Sequence, residues 1–228
     1  MPELKSEKIY LTKHLLFFEK FLLKKRKEIL IILKEFLINK NIEDVLDIGS
    51  TEDTINVSSN FIIKNLGNYK DYKSISNQKI KSDFFSKKFH KSITEDFSDE
   101  DIKNMASDLV ISNATIEHVG GLSNQIKMCR NIIKLSKKYF IIITPNRHHP
   151  LEFHTKIPFI HWFPKKIHRS ILKIIGLKFF SFEENLNLLS KKDFEFIMRH
   201  LGQLDYNIKS INTFFIKSNL ILLGKINE

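Results

Sequence analysis

Residues 45–51 read Val-Leu-Asp-Ile-Gly-Ser-Thr, and this stretch constrains the fold more than any other. Val45, Leu46 and Ile48 supply the apolar run of a strand that is covered on both faces. Asp47 breaks that run just before Gly49, where a residue without a side chain lets the chain turn tightly. An acid at that place lies at the carboxyl end of a strand, where open α/β sheets hold their ligands. Two later blocks have the same grammar. Residues 108–119 read Asp-Leu-Val-Ile-Ser-Asn-Ala-Thr-Ile-Glu-His-Val, and residues 139–147 read Tyr-Phe-Ile-Ile-Ile-Thr-Pro-Asn-Arg. Three strands that each end in a polar loop on the same side imply one shared crevice.

The intervening segments carry a helical period. Leu11, Leu15, Phe18 and Leu22, continued by Ile29, Leu33 and Phe36, form a stripe over 11–38 with Thr12 as a cap, interrupted by Lys24–Lys27. The stripe predicts an amphipathic helical cap over residues 1–40 that covers the sheet. Ser59–Leu66 predicts a short helix ending at Gly67, Tyr72–Ser76 a second strand, and Ser92–Ile93 a short third strand. Glu100–Met105 and Leu122–Ser136 predict further helices. Strands alternating with helices imply a parallel sheet with right-handed crossovers.

Residues 147–180 depart from this rhythm and predict a lid on the substrate side. The lid holds His148, His149, His154, His161 and His168, which are five of nine histidines, together with the only tryptophan, Trp162. Pro164 opens a basic helix that ends at Gly176. Ser190 caps the next helix, which stops before Gly202, and residues 206–212 and 219–225 predict a closing antiparallel hairpin. No repeat or linker divides the chain, so a single domain over 1–228 is expected.

The net charge of +11 is spread along the chain rather than focused, and no stacking motif accompanies it. Nucleic acid is therefore disfavoured as a partner. One cysteine, Cys129, excludes a disulfide framework, and the polar, charged 1–7 segment lacks a signal-peptide pattern. A cytoplasmic location is expected, with peripheral contact at the inner membrane surface kept open by the basic segment Lys165–Lys173 beside Trp162 and Phe163. Oligomeric state is not legible. No Cys or carboxylate spacing matches a metal frame, so no metal is expected.

The order of these blocks resembles class I S-adenosylmethionine-dependent methyltransferases over most of the chain. Val-Leu-Asp-Ile-Gly at 45–49 is similar to their first motif, and 108–119 is similar to the fourth-strand motif of the group called type 11. Thr-Pro-Asn-Arg at 144–147, Leu-Glu-Phe-His at 151–154 and His-Trp-Phe-Pro at 161–164 resemble a bacterial branch of that group. The resemblance implies a Rossmann-like three-layer α/β sandwich, with a mostly parallel seven-stranded sheet and an antiparallel terminal strand pair. It implies S-adenosyl-L-methionine as cofactor, with Asp47 near the donor's ammonium and the Gly49–Ser50 backbone near its methionine part. Asn77 stands where the ribose-binding acid is usual, Glu95 or Asp96 lies near the adenine, and Asn113 and Ala114 line the same pocket. Two departures stand out: the loop reads Gly49-Ser50-Thr51-Glu52 where two or three glycines are usual, and Asn77 lacks the charge that strengthens a hydrogen bond to ribose.

A sulfonium methyl is already electrophilic, so catalysis is chiefly alignment of an acceptor within about 3–3.5 Å. Arg147, His148 and Trp162 are candidate substrate residues, and His154 with Glu152 is the candidate catalytic pair. In an extended segment residues two apart point the same way, which would set a carboxylate beside an imidazole base. Glu117 and His118 begin a helix and are read as structural. The expected activity is methyl transfer (O- or N-methylation) to a small-molecule, glycan or lipid-linked acceptor. A non-catalytic binding or scaffold protein that has lost the cofactor is the alternative. A nucleotide-dependent oxidoreductase of the doubly wound class is disfavoured, because no Gly-x-Gly-x-x-Gly follows the first strand.

Overall fold

The computed structural model describes residues 16–52, 56–203, 205–213 and 215–226. Thr12, Leu11 and Leu15, the expected start of the first helix, lie outside the described residues. The elements run α1 (Leu16–Leu37), β1 (Asp44–Ile48), α2 (Phe61–Asn65), β2 (Asp71–Ser76), β3 (Lys87–His90), α3 (Asp99–Met105) and β4 (Ser107–Asn113). They continue with α4 (Leu122–Leu135), β5 (Ser136–Pro145), α5 (Lys165–Ile174), α6 (Lys191–His200), β6 (Tyr206–Thr213) and β7 (Ile216–Lys225). The seven strands form one sheet in the order β3-β2-β1-β4-β5-β7-β6. β1 to β5 are parallel, while β7 runs antiparallel to both β5 and β6. The expected Rossmann-like sandwich with its reversed terminal pair is the architecture observed.

Period-two alternation sends each strand's side chains into two cores. Leu46, Ile48, Val110, Phe140 and Ile142 face α4 and α6, packing on Met128, Ile132, Phe194 and Ile197. Val45, Leu109, Ile111, Ile141 and Ile143 face the opposite layer, packing on Ile29, Leu30, Leu33 and Leu37 of α1 and Ile62, Ile63 and Leu66 around α2. Cys129 is fully buried in α4. Ser190 caps α6, and Ser98 caps α3, each through a reciprocal box with an aspartate three residues on.

One strand differs from expectation. The third strand is Lys87–His90, not Ser92–Ile93. It lies at the sheet edge with only Phe89 partly covered, so it needs no apolar run, and its lysines discourage pairing with another chain. Ile93, just beyond it, is buried in the α4 core.

Among the described residues no helix is long and apolar enough to cross a membrane.

Candidate functional site

The parallel strands end at a cleft of about 620 Å³, within the range of roughly 300–1,000 Å³ usual for small-molecule sites. Its floor is built from the loops after β1, β2 and β4, and Asp47, Gly49, Ser50, Asn77, Asn113 and Ala114 all line it. The sequence places these residues on separate strands, and the sheet order β2-β1-β4 brings them together.

Asp47 is 6 % exposed. Burial pushes its carboxyl up to about 6, against the hydrogen bond it accepts from the Ser50 hydroxyl. A buried acid whose charge is poorly solvated, held in a cleft wall, is the kind of group a cationic ligand would pair with. Gly49 has a φ of +87°, and a Cβ there would occupy the space of the Thr115 side chain. That threonine donates to the Ile48 carbonyl at 3.2 Å, so the two close approaches are linked.

The glycine-poor loop is held by side chains. Asn60 Oδ1 accepts from the Thr51 amide at 3.3 Å, and its Nδ2 donates to the Thr51 carbonyl at 2.6 Å. The Ser76 hydroxyl donates to the Ser50 carbonyl at 2.8 Å, and the Gly49 amide donates to the Ile75 carbonyl at 2.9 Å. Nothing in the local sequence singles out Asn60, which takes a left-handed conformation ten residues after Ser50. At the end of β4, Ala114 has a φ of +53° and donates its amide to the Ile143 carbonyl at 2.8 Å. A left-handed alanine costs about 1 kcal/mol, and such strain gathers at binding sites.

Glu95 and Asp96 do not line the cleft. The Glu95 carboxylate accepts from the Ser92 amide at 3.1 Å, and Asp96 pairs at 3.0 Å with Lys127 at the surface. The wall in their place is Lys91 to Thr94. It is fixed from beneath by Asn131, whose Nδ2 donates to the carbonyls of Ile93 and Glu95 at 2.7 and 2.8 Å.

The far end of the cleft is roofed by the first half of α1. Phe18, Phe21, Leu22 and Lys25 line it, although the helix is legible in sequence only as a sheet cover. Phe21 packs on Phe153 of the lid with ring centres 6.1 Å apart, and the Lys156 ammonium lies 4.9 Å from the centre of the Phe18 ring. Glu19 accepts from both the amide and the hydroxyl of Ser58, at 2.6 and 3.1 Å.

His154 and Glu152 come together here, by a different route from the one expected. The segment is a turn rather than extended chain: the Glu152 carboxylate accepts from the amides of both His154 and Thr155, curling the chain back. His154 Nδ1 then donates to Glu152 Oε1 at 2.6 Å. Burial works against both charges, but their mutual attraction wins, holding the Glu152 carboxyl below and the His154 imidazole above its usual range.

Glu117 and His118, read from sequence as a structural helix start, form a short 3₁₀ turn against this pair. His118 Nδ1 lies 2.7 Å from the Asn185 carbonyl, and since a carbonyl only accepts, Nδ1 carries the proton. Its Nε2 faces His154 Nε2 at 3.1 Å. Burial, reinforced by the charge of His154, lowers the His118 imidazole to about 3. One proton thus sits between two imidazoles, on the His154 side. Glu117 is wholly buried; Thr144 donates to its Oε2 at 2.8 Å, and Oε1 has no hydrogen-bond partner among the described residues.

Arg147, His148 and Trp162 lie away from the cleft. The Arg147 guanidinium donates to the Phe163 carbonyl at 3.2 Å and borders a separate small hollow with His161 and His168. His148 is exposed, and Trp162 is 48 % exposed with its ring edge-on to Phe159.

No protein-family model matches the chain, and no curated protein matches it. Solved structures do. Magnesium protoporphyrin IX methyltransferase (ChlM) from Synechocystis PCC 6803, with bound SAH, aligns over 96 % of this chain and 92 % of its own at 13 % identity, with a TM-score of 0.56. The N-methyltransferase NodS from Bradyrhizobium japonicum WM9 aligns over 91 % and 97 % at 9 % identity and a TM-score of 0.52. A SAM-dependent methyltransferase from Archaeoglobus fulgidus aligns over 88 % and 94 % at 14 % identity and a TM-score of 0.51. At these identities the likeness is one of fold, and the fold is that of the class I methyltransferases.

Proposed function

We propose that this protein transfers a methyl group from S-adenosyl-L-methionine to a small-molecule, glycan or lipid-linked acceptor. The observation that carries the reading is the buried, proton-prone carboxylate of Asp47 beside the left-handed Gly49, at the carboxyl end of β1, in the cleft that three parallel strands open. ChlM and NodS, which share the fold, have been solved with the donor's product form bound.

When bound, the cofactor supplies an electrophilic sulfonium methyl. The chain's residues fit it. Asp47 would hold the ammonium, the backbone at Gly49 and Ser50 the methionine carboxylate, and Asn77 one ribose hydroxyl. The Lys91–Thr94 wall would take the adenine in place of Glu95 and Asp96. Asn113 and Ala114 complete the floor. The loop keeps its shape through Asn60 and Ser76, which do the work of the missing glycines.

At the other end His154 is the catalytic candidate and Glu152 its positioning partner, making the imidazole a stronger base than a free one. Phe18, Phe21 and Phe153 give that end an apolar wall, which favours an acceptor with an apolar body. Trp162, Phe163 and Ile167 are about half exposed beside Lys165 and Lys166. Such a face suits an anionic membrane surface, from which a lipid-linked acceptor would be taken.

Equilibrium binding of S-adenosylhomocysteine tests the reading. Wild type is expected to bind, and Asp47→Ala to lose at least tenfold in affinity while its circular dichroism is unchanged. Equal affinity in the variant would refute the assignment. No binding by wild type would leave the scaffold alternative standing.

A further inference from the structure

We propose that Glu117, His118 and His154 form a binding site for one divalent transition-metal cation of the zinc class, open to the cleft. Three donor atoms, one from each residue, lie within 4.8 Å of one another. His118 Nε2 and His154 Nε2 are 3.1 Å apart, and Glu117 Oε1 is 3.9 Å from His118 Nε2. Ligands about 2.0–2.1 Å from a tetrahedral ion lie roughly 3.3 Å from each other, so the two imidazoles are already spaced for one ion. The carboxylate oxygen stands somewhat farther out, within 4.8 Å of both.

The surroundings carry the argument further than the three donors. A metal-bound histidine almost always donates its other ring N–H to a carboxylate or a backbone carbonyl. Both histidines do so here: His154 through Nδ1 to Glu152, and His118 through Nδ1 to the Asn185 carbonyl. Each ring is thereby turned with its Nε2 toward the other ring. Glu117 is anchored in the same way, one oxygen accepting from Thr144 while the other, wholly buried, has no hydrogen-bond partner among the described residues. An unmatched carboxylate oxygen in the interior is costly. A cation between it and the two imidazoles would satisfy all three groups at once.

Ligand type selects the ion. Two imidazoles and one carboxylate suit zinc, cobalt or iron rather than magnesium or calcium, which prefer all-oxygen shells. Three protein ligands leave a coordination position free, as in catalytic zinc sites. His118 and His154 line the cleft, so that position faces its contents. If the cleft holds an acceptor hydroxyl, its oxygen would bind the ion, which would lower the hydroxyl's pKa so that its proton passes to solvent, and His154 would act as a ligand rather than as a free base. This last step rests on the methyl-transfer reading; metal binding itself does not.

The test is titration of tag-free, chelator-treated full-length protein with Co²⁺, followed by visible absorption, then displacement by Zn²⁺. One ion per chain with tetrahedral or five-coordinate d–d bands is expected, with binding at least a hundredfold weaker in His118→Ala and at least tenfold weaker in Glu117→Gln. Absence of binding by the wild type, or equal binding by both variants, overturns the site. A second measurement needs no variant. On adding Zn²⁺, the ring ¹⁵N signals of His118 and His154 in the wild type should move while those of His161 and His168 stay. Movement only at the latter pair, or at none, overturns the proposal. Neither measurement requires donor or acceptor, so failure here is separable from failure of the methyl-transfer reading.

Discussion

Replacing Asp47 by Asn removes one ionisable group from the wall of the cleft while keeping an oxygen that can accept from Ser50. In the native protein burial pushes this carboxyl from an ordinary 3.8 up to about 6. Native protein therefore holds the proton more tightly than unfolded chain does. Its contribution to stability is fully present below pH 3.8 and is lost as pH rises through about 6, beyond which it is flat. Each pKa unit is worth about 1.36 kcal/mol, so between pH 4.5 and 7.5 the wild type should lose about 2 kcal/mol relative to Asp47→Asn. Urea unfolding of both proteins across that window measures the difference. Because only its change with pH matters, any constant cost of burying the new amide cancels. A difference that is level with pH, or that runs the other way, would refute the claim that burial raises the Asp47 carboxyl. The same reasoning predicts that affinity for S-adenosylhomocysteine, whose ammonium favours the ionised acid, increases as pH rises through about 6.

Gly49→Ala forces a left-handed alanine into the Thr115 side chain. It should cost about 1–3 kcal/mol in denaturant unfolding and weaken donor binding together; wild-type values in both would show the loop to be tolerant. Leu33→Ala, at a wholly buried position of α1, should lower stability by about 2–5 kcal/mol. A loss below 1 kcal/mol would mean that α1 is not docked on the sheet as described. His154→Ala should remove methyl transfer, followed with radiolabelled donor and cell-extract acceptors, while S-adenosylhomocysteine affinity holds. Undiminished turnover would reduce His154 to a packing role. Wild type should co-sediment with vesicles containing anionic lipid, and Trp162→Ser with Phe163→Ser should reduce that several-fold; indifference to both changes would exclude this face from the membrane.

The parallel strands were legible because burial on both faces leaves an unbroken Val/Ile/Leu run, as at Leu109–Ile111 and Phe140–Ile143. β3 was not, since an edge strand of two lysines, a phenylalanine and a histidine carries no such mark. The end of the cleft proposed for the donor was readable for a local reason: Asp47, Gly49, Asn113 and Ala114 each sit where a strand stops. The end proposed for the acceptor depends on long-range contacts. His118 meets His154 from 36 positions away in the chain, and the one local signal of Glu117 and His118 is a polar pair between Ile116 and Val119. The roof formed by Phe18 and Phe21 was hidden too, because an amphipathic stripe reports that a helix has an apolar face and not what lies beneath each turn of it.

The central claim is that the cleft holds the donor, and thermal unfolding with and without S-adenosylhomocysteine tests it most directly. At a hundredfold excess over its dissociation constant, a ligand of the native state adds about 2.7 kcal/mol. For a chain of this size the midpoint should rise by about 5–10 °C. A rise of that size that vanishes in Asp47→Ala is the predicted result. An unchanged midpoint at millimolar ligand would contradict the account and leave a methyltransferase fold without its cofactor.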